Sequence, residues 1–187
     1  MANHMETYIN IENGDIKVAE KLKEIFTPPE GDYETNTEDL YKRLYGDEAP
    51  KEYDRGWVVE HLGAKWVYSE FEYDDDCEHI HLMLTSAWSV PIQLLEKLAD
   101  VLTNIKEDCY ICGTYEDESM DPCGGFIYAK DYDDIEDYDQ EYDWDKDEED
   151  DFYRENWHDK IAEHGTEVVD AYLDYLKDKK ENPEDYE

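Results

Sequence analysis

Residues 131–153 read DYDDIEDYDQEYDWDKDEEDDFY; fourteen of these 23 are Asp or Glu, and Lys146 is the only base. Like charges at this density oppose compaction. Yet Tyr132, Ile135, Tyr138, Tyr142, Trp144, Phe152 and Tyr153 are threaded among the acids. A fold for this chain must either leave the segment solvated or offer a surface on which its aromatic rings dock. The rest of the chain has the means to build such a surface, being 40% hydrophobic and 14% aromatic overall. The net charge of −37 disfavours direct binding to nucleic acid or an anionic membrane, because both need Lys and Arg. It favours a partner with a basic surface.

Charge also divides the sequence. Residues 1–130 hold 29 acids and 11 bases, and residues 131–187 hold 25 acids and 6 bases. The expected organisation is an α+β domain over 1–130 followed by an acidic helical appendage over 131–187. The start has no apolar leader and no segment reaches the length of a membrane span, so a cytoplasmic location is expected. Four cysteines in such a chain are expected as thiols.

Within the first part, ETYINIEN reads as a strand closed by Asn13-Gly14, and Asp15 caps a helix over IKVAEKLKEIF. Thr37 is placed to cap a short helix, EDLYKRLYG, and APKEYDRG reads as loop. WVYSEFEYD and HIHLMLTSAW alternate as two strands of a hairpin, Pro91 opens a helix, and CYICGTYED and GGFIYAK give two more strands. An antiparallel sheet with helices on one face fits this order. In the appendage, Ile135, Tyr138 and Tyr142 fall at helical spacing over 133–142. Phe152, Tyr153, Trp157 and Ile161 repeat the stripe, Gly165-Thr166 punctuates, and EVVDAYLDYLKDKK is an amphipathic helix.

Around KWVYSEFEY and HIHLMLTSAWSVPIQLLEKLADVL the chain resembles the YubB-type ferredoxin-like domains found among uncharacterised plasmid and phage proteins. The shared features are the aromatic strand, the strand ending in TSAWS, the proline-led helix and the later Gly-Gly strand. The resemblance covers about residues 5–130 and implies a ferredoxin-like sheet without a cluster, a mobile-element origin and no particular activity. The long acidic C-terminal region departs from the family pattern.

Motifs for chemistry are sparse. Cys109-x-x-Cys112 invites a zinc reading with Cys77, Cys123, His79 or His81, but a second such pair is missing. His79 and His81 share a strand face and could face Glu70 or Glu72 as an acid–base pair. No ordered set of catalytic roles can be assembled, so neither an enzyme nor a cofactor is expected. An EF-hand loop started at Asp143 fails, with Glu148 at position six and Arg154 at position twelve.

The remaining expectation is that docked aromatics hold the acids as a surrogate for phosphates, making the chain a double-stranded DNA mimic. It would occupy the groove of a basic, DNA-binding host protein of a defence or DNA-processing system, as anti-restriction and anti-CRISPR inhibitors do. The carboxylates expected to touch the partner are Asp131, Asp133, Asp134, Glu136, Asp137, Asp139, Glu141, Asp143, Asp145, Asp147, Glu148, Glu149, Asp150 and Asp151, with Tyr132, Tyr138 and Trp144 as contact anchors. Were 131–153 helical, its acids would fall about every 2.5 Å, against about 1.7 Å in duplex DNA. The alternative is a non-enzymatic ferredoxin-like assembly or regulatory module whose acidic tail only solubilises.

Overall fold

The computed structural model describes residues 3–73, 80–140, 142, 143, 146 and 153–186. The first strand, β1 (His4–Glu12), alternates buried and exposed side chains and ends at Asn13, which has a positive φ of 56°. Asp15 then caps α1 (Ile16–Phe26), its carboxylate accepting from the amides of Lys17 and Val18. Val18, Leu22, Ile25 and Phe26 bury the apolar stripe.

Helix α2 (Thr37–Tyr45) begins one residue earlier than the capping pattern suggests. Asn36 is the cap and accepts from the amides of Glu38 and Asp39, while the Thr37 hydroxyl donates to the Val67 carbonyl instead. After a 3-10 turn (Gly46–Glu48), the stretch expected to be loop gives way to α3 (Arg55–Leu62), capped by Asp54. Two turns containing Gly56, Val58 and Val59 have little intrinsic helicity. Burial of Val58 and Leu62 and the stacking of Trp57 on His61, with centroids 4.0 Å apart, hold them.

The hairpin strands β2 (Val67–Tyr73) and β3 (Ile80–Ala87) precede α4 (Ile92–Ile105), with Pro91 at the cap position. Strands β4 (Tyr110–Asp117), β5 (Cys123–Ala129) and β6 (Tyr132–Asp137) follow, then α5 (Tyr153–Glu181) and a 3-10 turn (Pro183–Tyr186). The strands form one antiparallel sheet in the order β2-β3-β1-β4-β5-β6. The protein is therefore α+β, built on a six-stranded antiparallel sheet.

Three expectations need correction. The apolar spacing of Ile135, Tyr138 and Tyr142 is not that of a helix, because 132–137 is a strand paired to β5 across the Lys130–Asp131 turn. Packing on both faces holds the strand, Ile135 on the main core and Tyr132 and Tyr138 on the other side, and the strand also spaces the charges more widely. A helix would stack carboxylates at i and i+4, such as Asp133 and Asp137, with a rise of about 1.5 Å per residue. A strand spreads them at about 3.3 Å and sends them alternately to two faces. The charge spacing worked out for a helix over 131–153 therefore fails over 132–137.

Second, Gly165-Thr166 does not divide two helices. The 29-residue α5 runs straight through it, about 43 Å long. Gly165 is buried where the helix crosses the sheet: a Cβ there would lie 2.7 Å from Thr114 Cγ2, and one on Gly125 would lie 2.8 Å from Gly165 Cα. The glycines permit a close approach and are not a break.

Third, helices cover both faces. The main core lies between one face and α1–α4, and includes Met5, Ile9, Leu82, Leu84, Ile111 and Phe126 from the strands. On the other face Tyr110, Cys112 and Ile127 meet Val168 and Tyr172 of α5, while Met120 and Cys123 meet Tyr142, Trp157 and Ile161. A second face this apolar needs a cover, and α5 supplies it over β4, β5 and β6. The expected helical appendage is thus the sheet's last strand and its second helical layer. Among the described residues no helix is long and apolar enough to cross a membrane.

Candidate functional site

Among the described residues β6 is an edge strand, and it carries Asp133, Asp134, Glu136 and Asp137, with Asp131 and Asp139 flanking it. Asp131 sits in the tight turn after β5 with φ of 62°. Asp133, Glu136, Asp137 and Asp139 are exposed and Asp134 is half-buried. The backbone holding them is tied down on both faces. Ile135 packs into the main core and Tyr115 donates to Asp137 Oδ1 at 2.5 Å. On the other face Tyr132 meets Tyr172 and Tyr175, with centroids at 4.9 and 4.8 Å. Tyr138 sits edge-on to Trp157 at 5.4 Å, and the ring of His164 lies 3.3 Å from the Glu136 carbonyl.

Tyr132 and Tyr138 are therefore half-buried docking residues and not free contact anchors. Burial first, then the Asp134 and Glu136 carboxylates, push the phenol of Tyr132 up. Burial followed by Cys123, Glu163 and Glu167 does the same for Tyr138. Each docked ring thus lies in a negative field. Asp143 is half-buried; its amide donates to the Tyr153 hydroxyl at 3.1 Å and its carboxylate pairs with Lys146 at 3.3 Å. Glu141, Trp144, Asp145, Asp147, Glu148, Glu149, Asp150 and Asp151 lie outside the described residues.

A second acidic row, absent from the sequence-based set, runs along α5. Asp159, Glu163, Glu167, Asp170, Asp174 and Asp178 recur at spacings of four or three and are all exposed. Trp157, Ile161, Val168 and Tyr172 occupy the opposite, buried side. Six acids over about 28 Å of axis is one per about 5–6 Å, against about 3.4 Å per phosphate along one DNA strand. The signal was present in the sequence as the polar complement of the Val168, Val169, Tyr172 and Leu176 stripe. At the far end Asp178 accepts from Asn182 Nδ2 at 2.7 Å and Tyr186 OH at 2.5 Å. Those bonds, Tyr186 first, hold its carboxyl below the usual range and so in the charged form.

The cysteine site comes apart. Cys109 faces the main core and Cys112 the α5 side, so the two thiols cannot share an ion. Both are buried with Cys123, and Cys77 and His79 lie outside the described residues. Among the described residues no group of three or more His, Cys, Asp or Glu is placed to hold a metal. His81 lies directly across from Glu72, and Glu70 across from Met83, all on the face opposite the main core. His81, Glu70 and Glu72 are exposed.

No family model, curated protein or solved structure matches this chain.

Proposed function

We propose that the chain is a non-enzymatic DNA mimic whose carboxylates occupy the duplex groove of a basic DNA-binding protein, in the manner of a mobile-element inhibitor of host defence or DNA-processing enzymes. The observation that carries this reading is the α5 row. Six like charges lie along the outer side of a helix whose inner side is buried against the sheet. An isolated helix with such a row would be weakened by its own repulsion. Docking through Trp157, Ile161, Val168 and Tyr172 offsets that cost and fixes the helix backbone that carries the carboxylates before any partner arrives. Prior ordering lowers the entropy lost on binding, and Lys and Arg of a groove would release counterions from these acids as they do from phosphates. The β6 acids extend the negative surface around Tyr132 and Tyr138.

The frame that carries both rows is proposed to be ferredoxin-like, in keeping with the YubB-type resemblance of residues 5–130. The order β2-β3-β1-β4, with α1 and α4 in the two crossovers, supports this assignment. Strands β5 and β6 then extend the frame on the β4 side.

The test uses the full chain as bait in a host lysate, followed by equilibrium binding of each purified captured protein with and without duplex DNA. Duplex DNA is expected to displace the chain, and Glu163→Gln/Glu167→Gln/Asp170→Asn/Asp174→Asn to weaken binding more than tenfold. Binding that duplex DNA leaves unchanged, or that the neutralised variant retains in full, would overturn the proposal.

A further inference from the structure

Helix α5 packs on β4, β5 and β6, and among the described residues the same face of β2, β3 and β1 has no helix packed over it. We propose that this open half-face is a docking surface for an extended, arginine-rich segment of a partner protein.

The strand register sets out its chemistry. One row across the sheet reads Glu70, Met83, Tyr8, Thr114, and the next reads Tyr68, Thr85, Glu6, Glu116. Glu6 and Glu116 are thus directly opposed on neighbouring strands, an arrangement that costs stability for like charges. The Glu116 side chain is only 12% exposed and has His158 Nδ1 3.2 Å away. The Tyr8 hydroxyl donates to Glu6 at 2.7 Å. Burial, that hydrogen bond and the carboxylates of Glu6, Glu116 and Glu70 raise the Tyr8 phenol. The fields of three carboxylates, Glu6 in direct contact and Glu70 across Met83, therefore reach one ring, and a cation placed there relieves their repulsion.

Shape agrees with charge. Where the open half meets α5, Tyr8, Thr114, Glu116, His158 and Ile161 line a cleft of ≈ 380 Å³. Two strands over from Tyr8, at the start of β2, Trp66 and Tyr68 lie 5.5 Å apart, and Tyr68 is 39% exposed. Exposed rings elsewhere on the molecule already carry its own cations: Lys65 Nζ lies 4.3 Å from the Trp88 centroid and Lys23 Nζ lies 3.8 Å from that of Tyr73. Among the described residues no lysine or arginine lies over Tyr8, Trp66 or Tyr68. Rings interleaved with carboxylates suit guanidinium best, because it stacks on an aromatic face and pairs with a carboxylate through two parallel N–H donors. The same carboxylates repel a nucleic acid, and an extended segment presents alternate side chains at the period of the strands beneath it. The surface uses β1, β2 and β3 with Thr114 and Glu116 of β4 and the His158–Ile161 side of α5, but none of the acids of the α5 row or of β6, so it is tested independently of DNA mimicry by those acids.

The test titrates the full chain with an alternating Arg-Gly peptide at about physiological ionic strength, where a generic field is screened beyond about 8 Å. A Lys-Gly peptide of equal charge is the control. The Arg peptide is expected to bind several-fold tighter. Tyr8→Leu, and separately the double variant Glu6→Gln/Glu70→Gln, should each weaken it about tenfold. Glu163→Gln/Glu167→Gln removes the same charge from α5 and should change binding less than twofold. In the unaltered chain, NMR shifts on peptide addition should centre on Tyr8, Tyr68, Glu70 and Met83. Equal weakening by the two double variants, no preference for Arg over Lys, or shifts centred on α5 would each overturn the proposal. The α5 variant also separates the two ideas, since it bears on displacement by duplex DNA and not on the Arg peptide.

Discussion

Cys109, Cys112 and Cys123 are each buried, and burial pushes their thiols from the ordinary 9.0 to about 11, about 12 and about 11. A thiol whose ionisation folding holds back contributes stability that is whole below pH 9 and disappears as pH climbs through the folded value. The melting temperature is therefore expected to hold up to about pH 9 and then fall steeply towards pH 12, the buried tyrosines adding to the loss above pH 10. Calorimetry across that range checks it, and Cys112→Ala should make the fall shallower. Sequence pattern already identified Asp15 as a cap. It misassigned Thr37, because Asn36 and Thr37 are both good caps and only the Val67 carbonyl, thirty residues away, claims the threonine hydroxyl. It also assigned Tyr132 and Tyr138 as contact anchors, whereas both dock against α5, whose position the pattern did not reveal.

Two elements carry most of what sequence pattern left out. Strand β6 has helical spacing of Ile135, Tyr138 and Tyr142, but Ile135 packs into the main core while Tyr132 and Tyr138 pack on the other face, the two-sided burial of a strand. Helix α5 contains a glycine that reads as punctuation until the sheet beneath it is known. That contact gives a direct prediction. Gly125→Ala would place a methyl group 2.8 Å from Gly165 Cα and 3.1 Å from Val168 Cγ2. Forcing apart so close a packing costs about 1–3 kcal/mol, which denaturant unfolding would register as a lower midpoint at unchanged slope. Helix α3 was missed for the opposite reason: its short sequence holds little local signal, and Trp57 gains its partners Tyr41, Tyr45 and His61 only in the fold. The strand pairs and α1, α2 and α4 were legible because alternation, caps and proline agreed with one another.

On the scale of the whole molecule, a net charge of −37 works against the compact state. Raising ionic strength from about 10 mM to about 150 mM shortens the screening length from about 30 Å to about 8 Å. Over that range the melting temperature should rise, with most of the gain lost in a chain neutralised at Glu163, Glu167, Asp170 and Asp174. A flat melting temperature would mean that the acidic rows are too well separated to repel each other in the fold. Composition announced this repulsion at once. It could not announce the route by which the fold lives with it, namely apolar residues of both sheet faces anchoring the strand and the helix that bear the acids.

The same edge strand has a consequence for the company this protein keeps with itself. One flank of β6 is hydrogen-bonded to β5, and among the described residues no strand pairs with the other, beside which Asp133, Asp134, Glu136 and Asp137 stand above and below the sheet. A naked sheet margin invites another chain to add a strand and begin a stack. Here a second copy arriving in register would press its carboxylates against identical ones, so crowding meets a barrier at the place where polymerisation would otherwise start. Charge that burdens the folding of one molecule thereby keeps many of them apart.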